Sequence, residues 1–409
     1  MTVDSTTSPG STGIKNVAGR ATVVFEKSSK LRSDEGDGIT IGANGAVVTA
    51  KWRDGTFHDF LRPFEYKITK SKVYDYTGHY CGEVDVPELS RGYTVNRGIV
   101  ISAMYNYAQE LGILIFMDSA VSDFWETDSE AGIVVNHGER VAGDCVVCAE
   151  GIHSLGRSII TGQQLELEQT GFAASRGYLN AAAASQIPDL SRIMEDKETG
   201  DRIYGWVGPR FHTSIWTKKR DNELFWYSCH EAASANIYNN HDMVTHILEC
   251  IKEWPARSEL EPLIRKVGDR RMIVIGDAAH PVLPISGQGG TQAIEDAAVL
   301  AIALELAGKA EINLALEATE KIRYQRARTI QQGGLAALRF LTDHVDFDAI
   351  RENLSMLKPP LPTWILDHDC QEYTYREFLG VAEAIRTGKQ YIPTNIPTEG
   401  IQKMENQSQ

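Results

Sequence analysis

Between Arg271 and Leu300 the chain reads Arg-Met-Ile-Val-Ile-Gly-Asp-Ala-Ala-His-Pro-Val-Leu-Pro-Ile-Ser-Gly-Gln-Gly-Gly-Thr-Gln-Ala-Ile-Glu-Asp-Ala-Ala-Val-Leu, and no other stretch holds as much chemical information. Met272 to Ile275 is a short apolar run that predicts a buried strand. It ends at Gly276-Asp277, where the backbone must turn tightly beside something polar. Pro281 and Pro284 forbid a regular helix across the middle, and Gly287, Gly289 and Gly290 remove side chains. From Thr291 an alanine-rich amphipathic pattern predicts a helix running past Leu300. Strand, acid, glycine-rich loop and helix N-terminus together make an anion-binding device. Helix-end N–H groups and the positive end of the dipole would face a phosphate or an electron-rich ring, while Asp277 accepts from sugar or ribityl hydroxyls. His280 either fills this loop or moves a proton in it.

The elements that must position this device are legible in outline. Ala21 to Phe25 predicts a strand closed by Glu26, and an acid ending a strand is where a dinucleotide fold holds ribose hydroxyls; a surface acid at a strand end is the other reading. Tyr93 to Arg97 precedes a helical pattern from Ile99 to Leu111. Ile113 to Phe116, Gly132 to Val135 and Arg140 to Val147 read as strands, with Asn136 to Glu139 as a hairpin turn. From Gly171 the character changes to aromatic, alternating strands: Gly171 to Tyr178, Tyr204 to Pro209, His212 to Trp216 and Glu223 to Ser228. A charged amphipathic helix is expected from Glu311 to Arg328, further helices between 339 and 385, and a polar tail after Pro393. Residues 1–13 are rich in Ser, Thr and Gly and predict no regular structure.

Composition bounds the function. The 409 residues can bury a large core and predict two domains; 42% are hydrophobic and 23% charged, a soluble globular balance. A net charge of −14 argues against nucleic-acid or anionic-membrane partners. No apolar run approaches the roughly 20 residues needed to span a bilayer, and the first ten residues lack the regions of a signal peptide, so an intracellular, cytoplasmic protein is expected. Six cysteines are scattered without a disulfide framework. Cys145 and Cys148 have C-x-x-C spacing but lie in an apolar run with no second pair, so they read as buried strand residues. No His, Asp or Glu cluster has metal-ligand spacing, and Asp367-His-Asp369 reads as a solvated loop.

Taken in order, Gly276-Asp-Ala-Ala-His-Pro281, Pro284, Gln288-Gly289 and Glu295-Asp-Ala297 resemble the second flavin-contacting motif of the FAD-dependent aromatic hydroxylases, the group A flavoprotein monooxygenases of salicylate-hydroxylase type. Upstream, Glu26, Gly36-Asp-Gly38-Ile39 and Asn44 resemble the family's second-strand Glu and its Gly-Ala-Gly-Ile and Pro-Asn elements, with Asp37 for the Ala and Ala43 for the Pro. Cys148-Ala-Glu150-Gly-Ile-His-Ser154 and Arg157 resemble the third motif, associated with FAD and pyridine nucleotide, with Glu150 in place of Asp. The resemblance runs from about Ala21 to Asp369.

It implies an α/β fold: a Rossmann-like FAD domain, incomplete at its N-terminus and split over residues 1–160 and 265–340, an inserted antiparallel β-sheet substrate domain over 161–264, and a C-terminal helical segment and tail over 341–409. It implies FAD and NAD(P)H as cofactors, with a small-molecule substrate and molecular oxygen as partners. The activity implied is hydroxylation or epoxidation of an aromatic or polyketide-like small molecule, in secondary metabolism. Glu26 would hold ribose, Arg97, Asp277, Gly287, Gly289 and Gly290 would hold the flavin side, and Gly36 and Gly38 would also bind the cofactor. Fungal members place a functional Arg where Arg176 stands and a Tyr near Trp216, which has no phenol. An exposed helix-start arginine remains the alternative for Arg97, as do a structural arginine and a core tryptophan for the last two.

Upstream of Glu26 the resemblance would also place an apolar strand, G-x-G-x-x-G and a helix, and residues 1–20 contain none of them. A second shortening precedes Arg271, where the family carries further residues including a Trp. Each lost pyrophosphate hydrogen bond would remove about 1–3 kcal/mol, so the chain as written is expected to hold FAD weakly or not at all. A flavin-free relative acting as a binding protein or non-redox cyclase is therefore the second reading, and a sequence that omits coding segments the third.

Overall fold

The computed structural model describes residues 21–31, 38–136, 138–162, 172–180, 193, 200–231, 271–343, 347–354, 361–397 and 399. Strand β1 (Val23–Phe25) comes first, then β2 (Gly38–Ile41), α1 (Ala43–Thr49), α2 (Phe57–Leu61), β3 (Ile68–Asp75), β4 (Tyr80–Asp85), β5 (Tyr93–Asn96) and α3 (Arg97–Glu110). Strands β6 (Leu114–Phe116), β7 (Val121–Glu126), β8 (Ala131–Val135), β9 (Glu139–Gly143) and β10 (Val146–Cys148) lead to α4 (Leu155–Thr161). Next are β11 (Phe172–Asn180), β12 (Asp201–Gly208), β13 (Phe211–Lys218), β14 (Glu223–Glu231) and β15 (Met272–Val274). Helices α5 (Gly289–Ala307), α6 (Ile312–Asp343), α7 (Phe347–Glu352), α8 (Thr363–Leu366) and α9 (Cys370–Thr387) complete it.

The parallel layer consists of two short ladders, β1 with β6 and β10 with β15. Both press apolar side chains onto the antiparallel β7–β8–β9 sheet: Phe25, Val146, Cys148 and Met272 meet Phe124, Ile133 and Val135. The stretch Arg140 to Val147, expected as one strand, is two strands separated at Asp144-Cys145. The break is forced because β9 pairs antiparallel with β8 whereas β10 pairs parallel with β15, so the chain changes sheets there. Cys145 and Cys148 are both buried and unbridged, as their apolar run implied.

The aromatic strands form one six-stranded sheet, order β11-β14-β13-β12-β3-β4, antiparallel except where β3 runs parallel to β12. Its last two strands come from residues 68–85, ahead of the segment in which sequence placed the substrate sheet, and periodicity did not reveal them.

A helix also follows Gly38, at α1, where sequence predicted none. Its residues are poor helix formers, so tertiary bonds decide it. Buried Asn44 donates to Glu295 Oε1 at 2.6 Å and to Gln288 Oε1 at 3.2 Å, and Gly42 N–H donates to Thr291 Oγ1 at 3.0 Å. Strand β2 in turn lies on β5 with Gly38 opposite Asn96. A Cβ on Gly92, the residue entering β5, would stand 1.9 Å from the Ile41 carbonyl oxygen, so only glycine lets the two backbones meet.

The main core joins these strands to the long helices through Ile41, Val95, Phe57, Val299, Ala315 and Val381. Inside it lies an ion-pair network. Arg326 clasps Glu295 with two bonds of 2.9 and 3.0 Å and donates to the carbonyls of Trp364 and Ile365. Arg323 bonds Asp296 Oδ1 at 2.7 Å, Gln292 Oε1 at 2.5 Å, and the Glu295 carboxylate. Burial alone would raise the Glu295 carboxyl, but Arg326 and Arg323 outweigh it and hold that group far below the usual carboxylate range. Burial likewise opposes ionisation of Asp296, and His280 and Arg323 overcome it.

The expected solvated loop at Asp367-His-Asp369 is only partly solvated. Asp367 pairs with exposed Arg91, and Asp369 accepts from the Gln371 and Glu372 amides to cap α9. His368 between them is half-buried, and burial, then the Arg326 charge, push its imidazole down to about 3.

Two outcomes follow from this packing. Arg323→Met takes one of two cations from a pair of buried carboxylates, so thermal or urea unfolding should show a loss of about 3–5 kcal/mol; an unchanged melting curve would mean that the network does not stabilise the fold. Gly92→Ala should cost about 1–3 kcal/mol or more through backbone overlap at Ile41, with hydrogen exchange accelerated first in β2 and β5.

Candidate functional site

The predicted strand, acid and glycine loop are present, and helix α5 begins two residues earlier than expected. Gly276 sits at φ +59° and its N–H donates to Asp296 Oδ2 at 2.8 Å. The same oxygen is 2.6 Å from His280 Nε2, so His280 is anchored inward to Asp296 and occupies the loop interior. The Gly276 carbonyl accepts from the Ala279 and His280 amides, closing a tight turn. Two further side chains tie the loop down: Arg157 donates to the Ala278 carbonyl at 3.3 Å and Gln331 to the Pro281 carbonyl at 2.8 Å. Pro284–Ser286 forms a single turn that ends at Gly287, whose φ of +61° is the left-handed region open to glycine. Helix α5 then starts without a side-chain cap, so the N–H groups of Gly289 and Gly290 lack intrahelical partners at the positive end of a 19-residue helix. Asp277 is exposed, and its Oδ1 lies 4.0 Å from where a Cβ on Gly289 would be.

The fold brings most of the other predicted residues to this helix end. A Cβ on Gly290 would meet Ile39 at 3.0 Å and Ile41 at 3.2 Å, so β2 passes directly over the start of α5. Register places Gly38 opposite Asn96, and the next residue, exposed Arg97, begins α3 behind an Asn96 cap. A Cβ on Gly38 would stand 3.0 Å from the Phe225 ring, which joins this neighbourhood to the six-stranded sheet. Glu26 lies elsewhere, at the carboxyl end of β1, with Oε1 accepting from the Ser28 amide at 2.8 Å. Gly36 falls outside the described residues. Glu150, which stands where the family motif has Asp, spends its carboxylate capping α4, accepting from Ser154 Oγ at 2.5 Å and the Gly156 amide at 2.9 Å.

Strand register defines the sheet surface that meets Gly38. One row reads Tyr178, Phe225, Trp216 and Ile203, and the next reads Arg176, Tyr227, Ser214 and Gly205. Arg176 and Trp216 therefore share a face. Trp216 packs edge-on against Phe225 with ring centroids 6.0 Å apart and donates from Nε1 to Ser214 Oγ at 2.9 Å. Arg176 is exposed, and its charge acts on the Tyr227 hydroxyl, which burial pushes far above its ordinary range.

Sequence reasoning missed Asn44, Gln288, Gln292, Arg323 and Arg326 as the supports of the loop. Only the Glu295-Asp296 pair, a double acid inside an apolar helix pattern, signalled that buried cations must lie nearby. Asn44 Oδ1 and Gln288 Nε2 are buried with no partner among the described residues, and both converge on Gly42.

For the flavin implied by the resemblance, the ring end fits: bare helix N–H groups, a glycine-lined approach and an exposed acid meet at one place. Residues 1–20, where that class of fold would carry its pyrophosphate turn, lie outside the described residues. Among the described residues no three His, Cys, Asp or Glu side chains could hold a metal, and no helix is long and apolar enough to cross a membrane.

A family model described as "FAD binding domain" matches residues 85–333. FAD-dependent monooxygenase okaB of Penicillium ochrochloron is 54% identical, over 96% of this chain and 92% of its own. The crystal structure of FqzB superposes with a TM-score of 0.81 at 34% identity, covering 92% of this chain and 91% of that one. That of CtdE in complex with FAD and substrate gives 0.78 at 31% identity, covering 89% and 94%. The likeness to FAD-dependent monooxygenases runs along nearly the whole chain, which belongs to the FAD-binding-domain family of FAD-dependent monooxygenases.

Proposed function

We propose that the enzyme uses NAD(P)H and molecular oxygen to hydroxylate or epoxidise an aromatic or polyketide-like small molecule lying between the start of α5 and the aromatic face of the six-stranded sheet. The observation that carries this reading is the contact of Gly38 with Phe225, which puts the row holding Trp216, and the adjacent row holding Arg176, beside the glycine loop. When bound, the flavin supplies reduction by the nicotinamide and activation of oxygen for transfer to an electron-rich carbon.

The chain's own residues position and shield. Gly287, Gly289, Gly290 and Gly38 admit the ring system, Arg97 and Asp277 approach its polar edge, and Glu26 and Gly36 serve the sugar and loop side. Trp216 and Phe225 form an apolar wall that orients a flat substrate and keeps water out. Arg176 presents a planar cation to a substrate carbonyl, carboxylate or phenolate. On this reading residues 1–160 and 265–340 make the FAD domain, with β3 and β4 lent to the substrate sheet of 161–264, and 341–409 cover them. A cytoplasmic location belongs to the same reading, supported by five described cysteines that are all unbridged.

Replacing Asp277 by Ala should weaken FAD by about tenfold in a fluorescence-quenching titration, since a hydrogen bond to a charged acceptor contributes about 1.5–3 kcal/mol; undiminished affinity would take Asp277 out of the site. Arg176→Lys keeps the charge and loses the fork. It should leave the melting temperature in place and lower substrate-stimulated NAD(P)H consumption by about tenfold or more. Normal turnover in that variant would make Arg176 structural.

A further inference from the structure

Two residues from Ser214 along β13, on the same sheet face, stands His212. Register sets it opposite Cys229 on β14 and Val207 on β12, and its ring lies 5.8 Å from that of Tyr227. It is only 9% exposed, and among the described residues neither ring nitrogen has a hydrogen-bond partner. Buried polar groups are almost always paired, because an unmade bond forfeits hydration without replacement. The neighbours do not resolve this: Tyr227 is bonded to Cys229, and Val207 has nothing to offer. Burial pushes the imidazole down to about 4, so it is neutral near pH 7, with one nitrogen a donor and the other an acceptor. A neutral imidazole meets either a ligand carbonyl or a ligand N–H by choice of tautomer. Such a group, unpaired on the face that carries Arg176, Tyr227 and Trp216, is placed as a recognition element.

We propose that His212 is a substrate-positioning residue that hydrogen-bonds an N–H or carbonyl group of a planar, lactam- or amide-bearing aromatic substrate. Trp216 and Phe225 supply apolar contact with no directional preference, whereas His212 fixes which edge of the ring system turns toward the sheet and so which carbon turns toward the glycine loop. The inference rests on that face being the substrate wall.

The test compares oxindole, which carries a lactam N–H and carbonyl, with indane, a bicyclic hydrocarbon of the same outline, by tryptophan-fluorescence titration of the full chain supplied with FAD. Wild type should prefer oxindole by about tenfold, the size of one desolvated hydrogen bond. His212→Phe should keep indane affinity and lose most of the preference, the remainder being the hold of Arg176 on the carbonyl. His212→Gln, which retains a donor and an acceptor, should recover most of the preference, and thermal melts of both variants confirm that they fold. A full preference for oxindole in His212→Phe, or equal binding of the two probes by wild type, would overturn the assignment of His212 alone. Wild type that takes up neither probe would overturn the substrate-wall reading and this inference with it.

Discussion

A carboxylate with no exposed surface, clasped by two guanidinium groups, is the constraint on which the rest of this molecule depends. Glu295 sits between Arg326 and Arg323, and each of these three groups bonds a further partner. Arg326 reaches the backbone at Trp364 and Ile365; Glu295 reaches α1 through Asn44; Arg323 reaches Asp296. Asp296 hands the restraint on to the Gly276 amide and His280. The desolvation of such a group is tolerable only when every lone pair and N–H is matched. The loop after β15 is therefore held from behind by buried charges.

Held this way, the loop can afford to be poor in side chains where the ligand comes near. Gly287, Gly289 and Gly290 contribute almost no packing of their own, and Gly276 and Gly287 sit in left-handed conformations. Their geometry is imposed by Arg157 and Gln331 on the carbonyls and by Asp296 on the amide. The six-stranded sheet works in the opposite manner: its face is crowded with aromatic rings that fix one another, as Trp216 and Phe225 do, and the directional groups, Arg176 and His212, are few.

Much of this was legible in the sequence wherever a local rule governs. The Gly-Asp turn, the prolines and the glycines before α5 announced the loop, and alternating aromatics announced β11 to β14. The unread parts are those decided at long range. Helix α1 exists because Asn44 finds Glu295, 251 residues away, and no local propensity reports that. The split of Arg140 to Val147 depends on which partners β9 and β10 find, and β3 and β4 have mixed polar and apolar composition because one is sandwiched and the other edges the sheet. For the site itself, residue types pointed to Asp277 and the glycines, whereas the shared face of Arg176 and Trp216 emerges only from strand register.

The parallel contact of β3 with β12 has a consequence for how the chain is made. Strand β3 emerges with only β4 to pair, and its other edge must wait for residues 201–208, more than 120 positions later. Until then a hairpin containing Ile68, Val73 and Tyr74 presents an open ladder, the situation in which nascent chains pair with the wrong partner. Contacts of such sequence separation also slow folding, because a long loop must close before they contribute. Lys70 and Lys72 along β3 keep charge beside that waiting edge during synthesis, and in the finished sheet Lys70 pairs with Glu83 on the neighbouring strand.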